Sequence, residues 1–238
     1  MLNKTVVVVP TYNEAENIDA FVRTIFALGV EGLKILIVDD NSPDGTGRMA
    51  DELANEFEGY LSVLHRSHKA GLGPAYLAGF KRALEMDVES IIQMDADFSH
   101  DPKYIPDMLR LNVDNDLVVA SRYVEGGGVD QNWGFLRKAT SWFANQVYVR
   151  MVLGLPVRDA TAGYRAWRRD ALARMDLDRV KANGYVFQVE MTYAATKNGL
   201  SMVELPIFFP DRANGHSKMG YNIAVEAAVE TWRMRGRH

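Results

Sequence analysis

Short runs of almost unbroken aliphatic residues, each closed by a polar cluster, alternate with helix-period segments through the first half of the chain. Thr5–Val9, Lys34–Val38, Leu61–Leu64, Ser90–Met94 and Asp116–Ala120 read as strands. A strand with one face in water alternates apolar and polar residues. Runs that stay apolar indicate strands covered on both faces, as in a parallel sheet sheathed by helices. Between the first two, Ile18, Phe21, Val22, Ile25 and Phe26 mark one face of a helix. Met49, Ala50, Leu53, Ala54 and Phe57 do the same between the second and third. Pro74 suits the first turn of a third helix with Leu77, Phe80 and Leu84 inward. Asp101-Pro102 suits the cap and first turn of a fourth. This β-α-β order predicts a doubly wound α/β fold, a mostly parallel sheet with helices on both faces. Tyr164–Trp167 and Met202–Leu205 add two strands, with a helix near Phe187–Lys197 between them. Further helices are expected over about Leu136–Val152 and Tyr221–Arg235. No linker or repeat divides the 238 residues, so the expectation is a single domain over 1–238.

Composition excludes several function classes. A net charge of −4 gives no electrostatic case for a nucleic-acid partner. Without cysteine there are no disulfides, thiolate metal sites or cysteine nucleophiles, which fits a reducing cytoplasm. No apolar run approaches the ~20 residues of a membrane span, and Val6–Val9, stopped by Pro10, is too short for a signal-peptide core. The expectation is a soluble chain, or one held at a membrane by a surface patch or a partner. No Gly-x-Gly-x-x-Gly follows the first strand and no P-loop occurs, which argues against dinucleotide and P-loop enzymes.

In open α/β sheets ligands bind at the carboxyl ends of the strands. Polar groups gather there: Pro10-Thr11-Tyr12-Asn13-Glu14 after the first strand, Asp39-Asp40-Asn41-Ser42-Pro43-Asp44-Gly45-Thr46 after the second, Asp95-Ala96-Asp97 after the fourth, and Ser121-Arg122-Tyr123 after the fifth. Residues two apart in an extended segment point the same way, so Asp95 and Asp97 can face one site. Two hard oxygen donors suit Mg²⁺ or Mn²⁺ shared with substrate phosphates; the plainer alternative is a solvated turn. Asp39-Asp40 is also compatible with a helix cap or a receiver-type phosphoacceptor, although the length and the second half of the chain do not fit a receiver. The five histidines show no metal-ligand spacing and are read as incidental.

Together these segments resemble glycosyltransferase family 2, of the GT-A fold, and within it the catalytic domain of polyprenyl-phosphate (dolichol-phosphate) mannose synthases. The likeness adds Lys69-Ala70-Gly71-Leu72-Gly73, Asp97-Phe98-Ser99-His100, Asn132-Trp133-Gly134-Phe135-Leu136-Arg137-Lys138 and Gly215-His216-Ser217-Lys218 to the strand ends, so it covers nearly the whole chain. The resemblance implies transfer of mannose from GDP-mannose to a polyprenyl phosphate, inverting, with a divalent cation. It implies that Pro10, Tyr12, Glu14, Val38 and Asp40 hold the guanosine, and that Asp95 and Ala96 lie beneath the ribose and diphosphate. Asp97 would ligate the metal. Ser99 stands where the family often has a ligating glutamine and is a weaker donor. Arg122, Arg212 and Lys218 match diphosphate or sugar contacts, Arg137 and Ser141 the acceptor-phosphate site, and Asp159 a position near the sugar. Asp97, Arg122 and Arg137 are thus the expected catalytic set.

A lipid acceptor implies a peripheral enzyme at the cytoplasmic face of a membrane. It would be held there by Trp142–Val152, by the end that carries Trp232, Arg233, Met234, Arg235 and Arg237, or by a small membrane subunit. Two alternatives stay open: a family-2 transferase with another donor, such as UDP-glucose, or another acceptor, and a catalytically silent nucleotide-sugar-binding subunit.

Overall fold

The computed structural model describes residues 4–130, 150–209 and 231–237. β1 (Thr5–Thr11), β2 (Leu33–Asp39), β3 (Leu61–His65), β4 (Ser90–Gln93) and β5 (Leu117–Ser121) are the five expected strands, each within two residues of its expected span. Helices α1 (Ile18–Phe26), α2 (Thr46–Glu56), α3 (Leu72–Leu84) and α4 (Ile105–Asn112) lie between them. Asp101 caps a short 3₁₀ turn, Pro102–Tyr104, by accepting from Lys103 N, and that turn leads into α4.

β6 (Gly128–Val129) and β9 (Phe208–Phe209) pair in a separate small ribbon, whereas β7 (Arg165–Arg168) and β8 (Met202–Pro206) join the main sheet. The main sheet has the order β3-β2-β1-β4-β7-β5-β8. Every pair in it is parallel except those made by β7, which runs antiparallel between β4 and β5. The fold is therefore α/β with a mostly parallel sheet.

Strand alternation sorts the core into two layers. Val7, Val9, Ile35 and Ile37 face α1, α2 and α4. Val6, Val8, Leu36 and Val38 face α3 and the helix α5, Gly184–Lys197. On α3 the buried positions are Gly73, Ala75, Tyr76, Gly79, Phe80 and Ala83; Leu77 and Leu84, expected inward, are only partly covered. Gly79 lets α3 sit directly on the sheet, since a Cβ there would run into Val8 Cγ1 and Val38 Cγ2. Gly79→Ala should therefore destabilise the protein by about 1–3 kcal/mol through overpacking, readable as a lowered denaturant midpoint. An unchanged midpoint would mean that α3 can lift off the sheet at little cost.

The strand order runs 3-2-1 in one direction from β1, and β4 lies on the other side. The crevice between the carboxyl ends of β1 and β4 is thus a topological switch point, where open α/β sheets bind ligands.

Candidate active site

Three loops reach this crevice in strained conformations. Asn13, Asn41 and Phe98, just beyond β1, β2 and β4, have φ of 61°, 59° and 55°. Left-handed backbone is tolerated by asparagine and costly for phenylalanine. Phe98 is held there by an edge contact with Phe21 of α1, ring centroids 5.6 Å apart.

The β2 loop is tied down by its acidic pair. Asp39 is buried and accepts from Ser42 Oγ at 2.6 Å and Ser42 N at 3.2 Å. Asp40 is buried too. It pairs with Arg66 and accepts from Ala70 N and Gly71 N at 3.0 and 3.1 Å, so it fixes the loop that leads into α3. Neither caps α2, whose first turn is served instead by Asp44, accepting from Thr46 N at 3.0 Å and Thr46 Oγ1 at 2.6 Å. Beside this loop the Lys69 ammonium sits 3.5 Å from the centre of the Tyr12 ring. Pro10, Tyr12 and Glu14 are half-buried around it. Val38 is fully buried against α3, so it backs the wall and offers no surface of its own.

Past β4 the chain turns through Asp95-Ala96-Asp97. Asp95 Oδ1 accepts from Tyr76 Oη at 2.6 Å, and burial together with this carboxylate pushes the Tyr76 phenol well above its usual range. Tyr76 thus stays a neutral donor. Asp97 Oδ1 accepts from Ser99 N at 3.0 Å and from the Ser99 hydroxyl, so Ser99 orients Asp97 rather than offering its oxygen outward. Ala96, between the two in sequence, is buried. Among the described residues no group of three or more His, Asp or Glu could hold a metal ion. Two carboxylates whose remaining ligands come from water and substrate phosphates are nonetheless what Mg²⁺-type sites use. The donor set fits a cation shared with a diphosphate.

His100 is not incidental. It is buried, stacks on Tyr164 at 5.1 Å and accepts from Asp95 N through Nδ1 at 3.0 Å. Its nearness to Asp95 in sequence was the only signal for it.

Arg122, at the end of β5, is only 11% exposed, and Asp159 is completely buried. The guanidinium grips Asp159 through Nε and Nη2, both at 2.7 Å, and the Arg122 backbone N–H adds a third bond at 3.0 Å. This is an interior fork-to-carboxylate pair, not a surface salt bridge. The loop after Asp159 folds around a fully buried Arg165, which donates to Ala162 O at 2.8 Å and to Ala160 O at 2.9 Å. Burial pushes the Arg165 guanidinium down to about 9. Helical and strand patterning gave no sign of Tyr76, Arg165 or α5's Gln188, because each occupies a position that reads as ordinary core.

These parts enclose a cavity of about 160 Å³ lined in part by Asp95, Ser99, His100, Arg122, Thr161 and Gln188. Arg137, Ser141, Arg212 and Lys218 lie outside the described residues, as do most of the expected Leu136–Val152 and Tyr221–Arg235 helices.

The glycosyl transferase family 2 model matches residues 6–175. A polyprenol monophosphomannose synthase of Mycolicibacterium smegmatis is 45% identical over 237 residues, covering 98% of this chain and 88% of that protein. An undecaprenyl-phosphate mannosyltransferase of Micrococcus luteus is 44% identical over 230 residues, covering 97% and 93%. Among solved structures, a mannosyl-3-phosphoglycerate synthase from Rubrobacter xylanophilus aligns with a TM-score of 0.67 at 20% identity, over 99% of this chain and 76% of that one. A mannosyltransferase from Pyrobaculum calidifontis, solved with GDP-Man and Mn²⁺, aligns with a TM-score of 0.64 at 17% identity, over 100% and 65%. At those identities the solved structures establish the shared GT-A fold.

Proposed function

The chain belongs to glycosyl transferase family 2, and from that premise we propose that it transfers mannose from GDP-mannose to a polyprenyl phosphate with inversion. The observation that carries the reading is Asp95-Ala96-Asp97 at the switch-point end of β4, beside a cavity smaller than the ~300–1,000 Å³ that takes a whole drug-sized ligand. That volume suits one sugar ring, with the nucleotide lying outside it along Pro10, Tyr12, Glu14 and Asp40. The names of the two relatives at 44–45% identity support mannose as the sugar and a polyprenyl phosphate as the acceptor.

In this reading an acceptor phosphate oxygen attacks the anomeric carbon, the bond from that carbon to the diphosphate oxygen breaks, and GDP leaves with the electron pair. A phosphate monoester is already largely ionised near neutral pH, its second pKa being about 6. No side-chain base is needed, unlike transfer to an alcohol. Asp97 and Asp95 would hold Mg²⁺ or Mn²⁺, which neutralises charge on the leaving diphosphate. Ser99 and Tyr76 keep the two carboxylates aimed, and Arg137 with Ser141 would receive the acceptor phosphate. Catalysis is then chiefly positioning and charge neutralisation.

A polyprenyl acceptor requires contact with a bilayer, and no helix among the described residues is long and apolar enough to cross one. We place the enzyme peripherally at the cytoplasmic face, held by its own surface or by a small membrane subunit. Trp232 is 57% exposed and carries the Arg235 guanidinium 5.5 Å from its ring, whereas Met234 on the same helix is buried. An exposed aromatic beside a cation suits an interface.

The direct test incubates the protein with Mg²⁺, a short polyprenyl phosphate and radiolabelled GDP-mannose, with UDP-glucose in parallel. Label in the organic phase from GDP-mannose is the expected result. Label from UDP-glucose alone would overturn the sugar, and no lipid-linked label from either would overturn the acceptor.

A further inference from the structure

α5 brings to the cavity a polar side chain, that of Gln188, that no strand-end motif contains. Gln188 is 2% exposed, lines the cavity, and has its Nε2 3.5 Å from where a Cβ on Gly163 would stand. Its amide belongs to a buried relay. Trp167 Nε1 donates to Gln93 Oε1 at 3.2 Å, and Gln93 Nε2 donates to Gln188 Oε1 at 2.7 Å.

The polarity of this relay is not free. An indole N–H can only donate, so the Gln93 atom facing Trp167 is the oxygen. The Gln93 amide nitrogen must then face Gln188, and the Gln188 oxygen must receive it. What remains for the cavity is the Gln188 NH₂. Among the described residues no acceptor meets that nitrogen, and it is not sealed from the cavity. An amide N–H that opens onto the cavity can donate to whatever fills it, so a ligand oxygen placed there would extend the relay.

The surroundings say which kind of oxygen. Arg122 is neutralised by Asp159, Ser99 and Thr161 are uncharged, and the Asp95 carboxylate adds negative charge. Among the described lining residues no excess positive charge favours a phosphate over a hydroxyl. A neutral donor in that setting suits a hydroxyl oxygen. We infer that Gln188 Nε2 donates to one hydroxyl of the hexosyl group being transferred and so takes part in choosing the sugar, Trp167 and Gln93 acting as the positioning residues that lock its polarity. The inference rests on the donor being a nucleotide sugar, as proposed above.

The test pairs protein and substrate changes. Wild type and Gln188→Met are assayed with GDP-mannose and its four singly deoxygenated analogues at C2, C3, C4 and C6, and GDP affinity and melting temperature are measured for both. One deoxy donor is expected to cost wild type about tenfold or more in kcat/KM, because a site built to bond a hydroxyl rejects the analogue lacking it. The same analogue should cost Gln188→Met nothing further, with GDP affinity unchanged. Equal penalties in both proteins for all four analogues would overturn the assignment, as would a parallel loss of GDP affinity. Should the methionine protein fail to fold, Trp167→Phe removes the group that fixes the relay. It is expected to blunt the same deoxy-sugar penalty several-fold at unchanged GDP affinity, and an undiminished penalty overturns the inference. If wild type uses UDP-glucose instead, the deoxyglucose series and UDP replace these probes. The donor assignment and the role of Gln188 are then judged separately.

Discussion

Asp97→Ala should lower transfer by roughly 10²–10³-fold or more, the scale lost when one preorganised electrostatic group is removed from a developing negative charge. The affinity for GDP measured without divalent metal should change little, because what is lost is the bridge to the diphosphate through a cation, not a contact to the nucleoside. The fold should survive, since Asp97 is only half-buried and its bonds to Ser99, two residues away, lie within its own turn. Ser99→Ala offers a graded companion. It removes the hydroxyl that aims Asp97 but leaves the carboxylate, so a smaller loss, partly recovered at high Mn²⁺ or Mg²⁺, is expected. Retention of more than about a tenth of wild-type activity by Asp97→Ala would place the metal elsewhere and remove the reason for reading Asp95-Ala96-Asp97 as the centre of the site.

Asp97 could be singled out from sequence because its information is local. A strand tells which residues share a face, and Ser90–Gln93 followed by two carboxylates two apart is readable without a partner. The same holds for the strand ends that carry Tyr12, Asp40 and Arg122. What patterning could not supply was who meets whom across the sheet. β7 follows β5 in the chain yet sits between β4 and β5, and its alternation is the same whether it runs parallel or antiparallel. That insertion brings Arg165 and Trp167 beneath the cavity. Gln93 was legible only as the end of an apolar run, and Gln188 only as one position of a helix. Their bond joins residues 95 apart in sequence, and periodicity carries nothing over that distance. Asp40 shows both sides of this. Its place after β2 was readable, whereas its engagement by Arg66, Ala70 and Gly71 was not.

Asp159→Ala should be among the most destabilising single changes in the protein. Asp159 has no exposure and Arg122 only 11%, so the substitution leaves a guanidinium confined without its counter-charge. Breaking an interior ion pair from one side typically costs about 3–5 kcal/mol. In a chain of this size that corresponds to a fall in melting temperature of roughly 6–20 °C, at about 2–4 °C per kcal/mol. The pair itself is weaker than this figure suggests, because desolvation offsets much of the attraction. Arg122→Met combined with Asp159→Leu should therefore be more stable than either single substitution, a coupling readable from a double-mutant cycle in urea. Arg122→Lys keeps the charge but loses the fork that meets both carboxylate oxygens, and it should fall between wild type and Asp159→Ala. If Asp159→Ala stays within about 1 kcal/mol of wild type, water reaches the guanidinium and the pair is not interior in solution. Arg122 would then be available as a cation for the diphosphate. A destabilised Asp159→Ala would instead mean that the charge of Arg122 is spent on the fold, leaving neutralisation of the leaving group to the cation held by Asp97 and Asp95 and to Arg212 and Lys218.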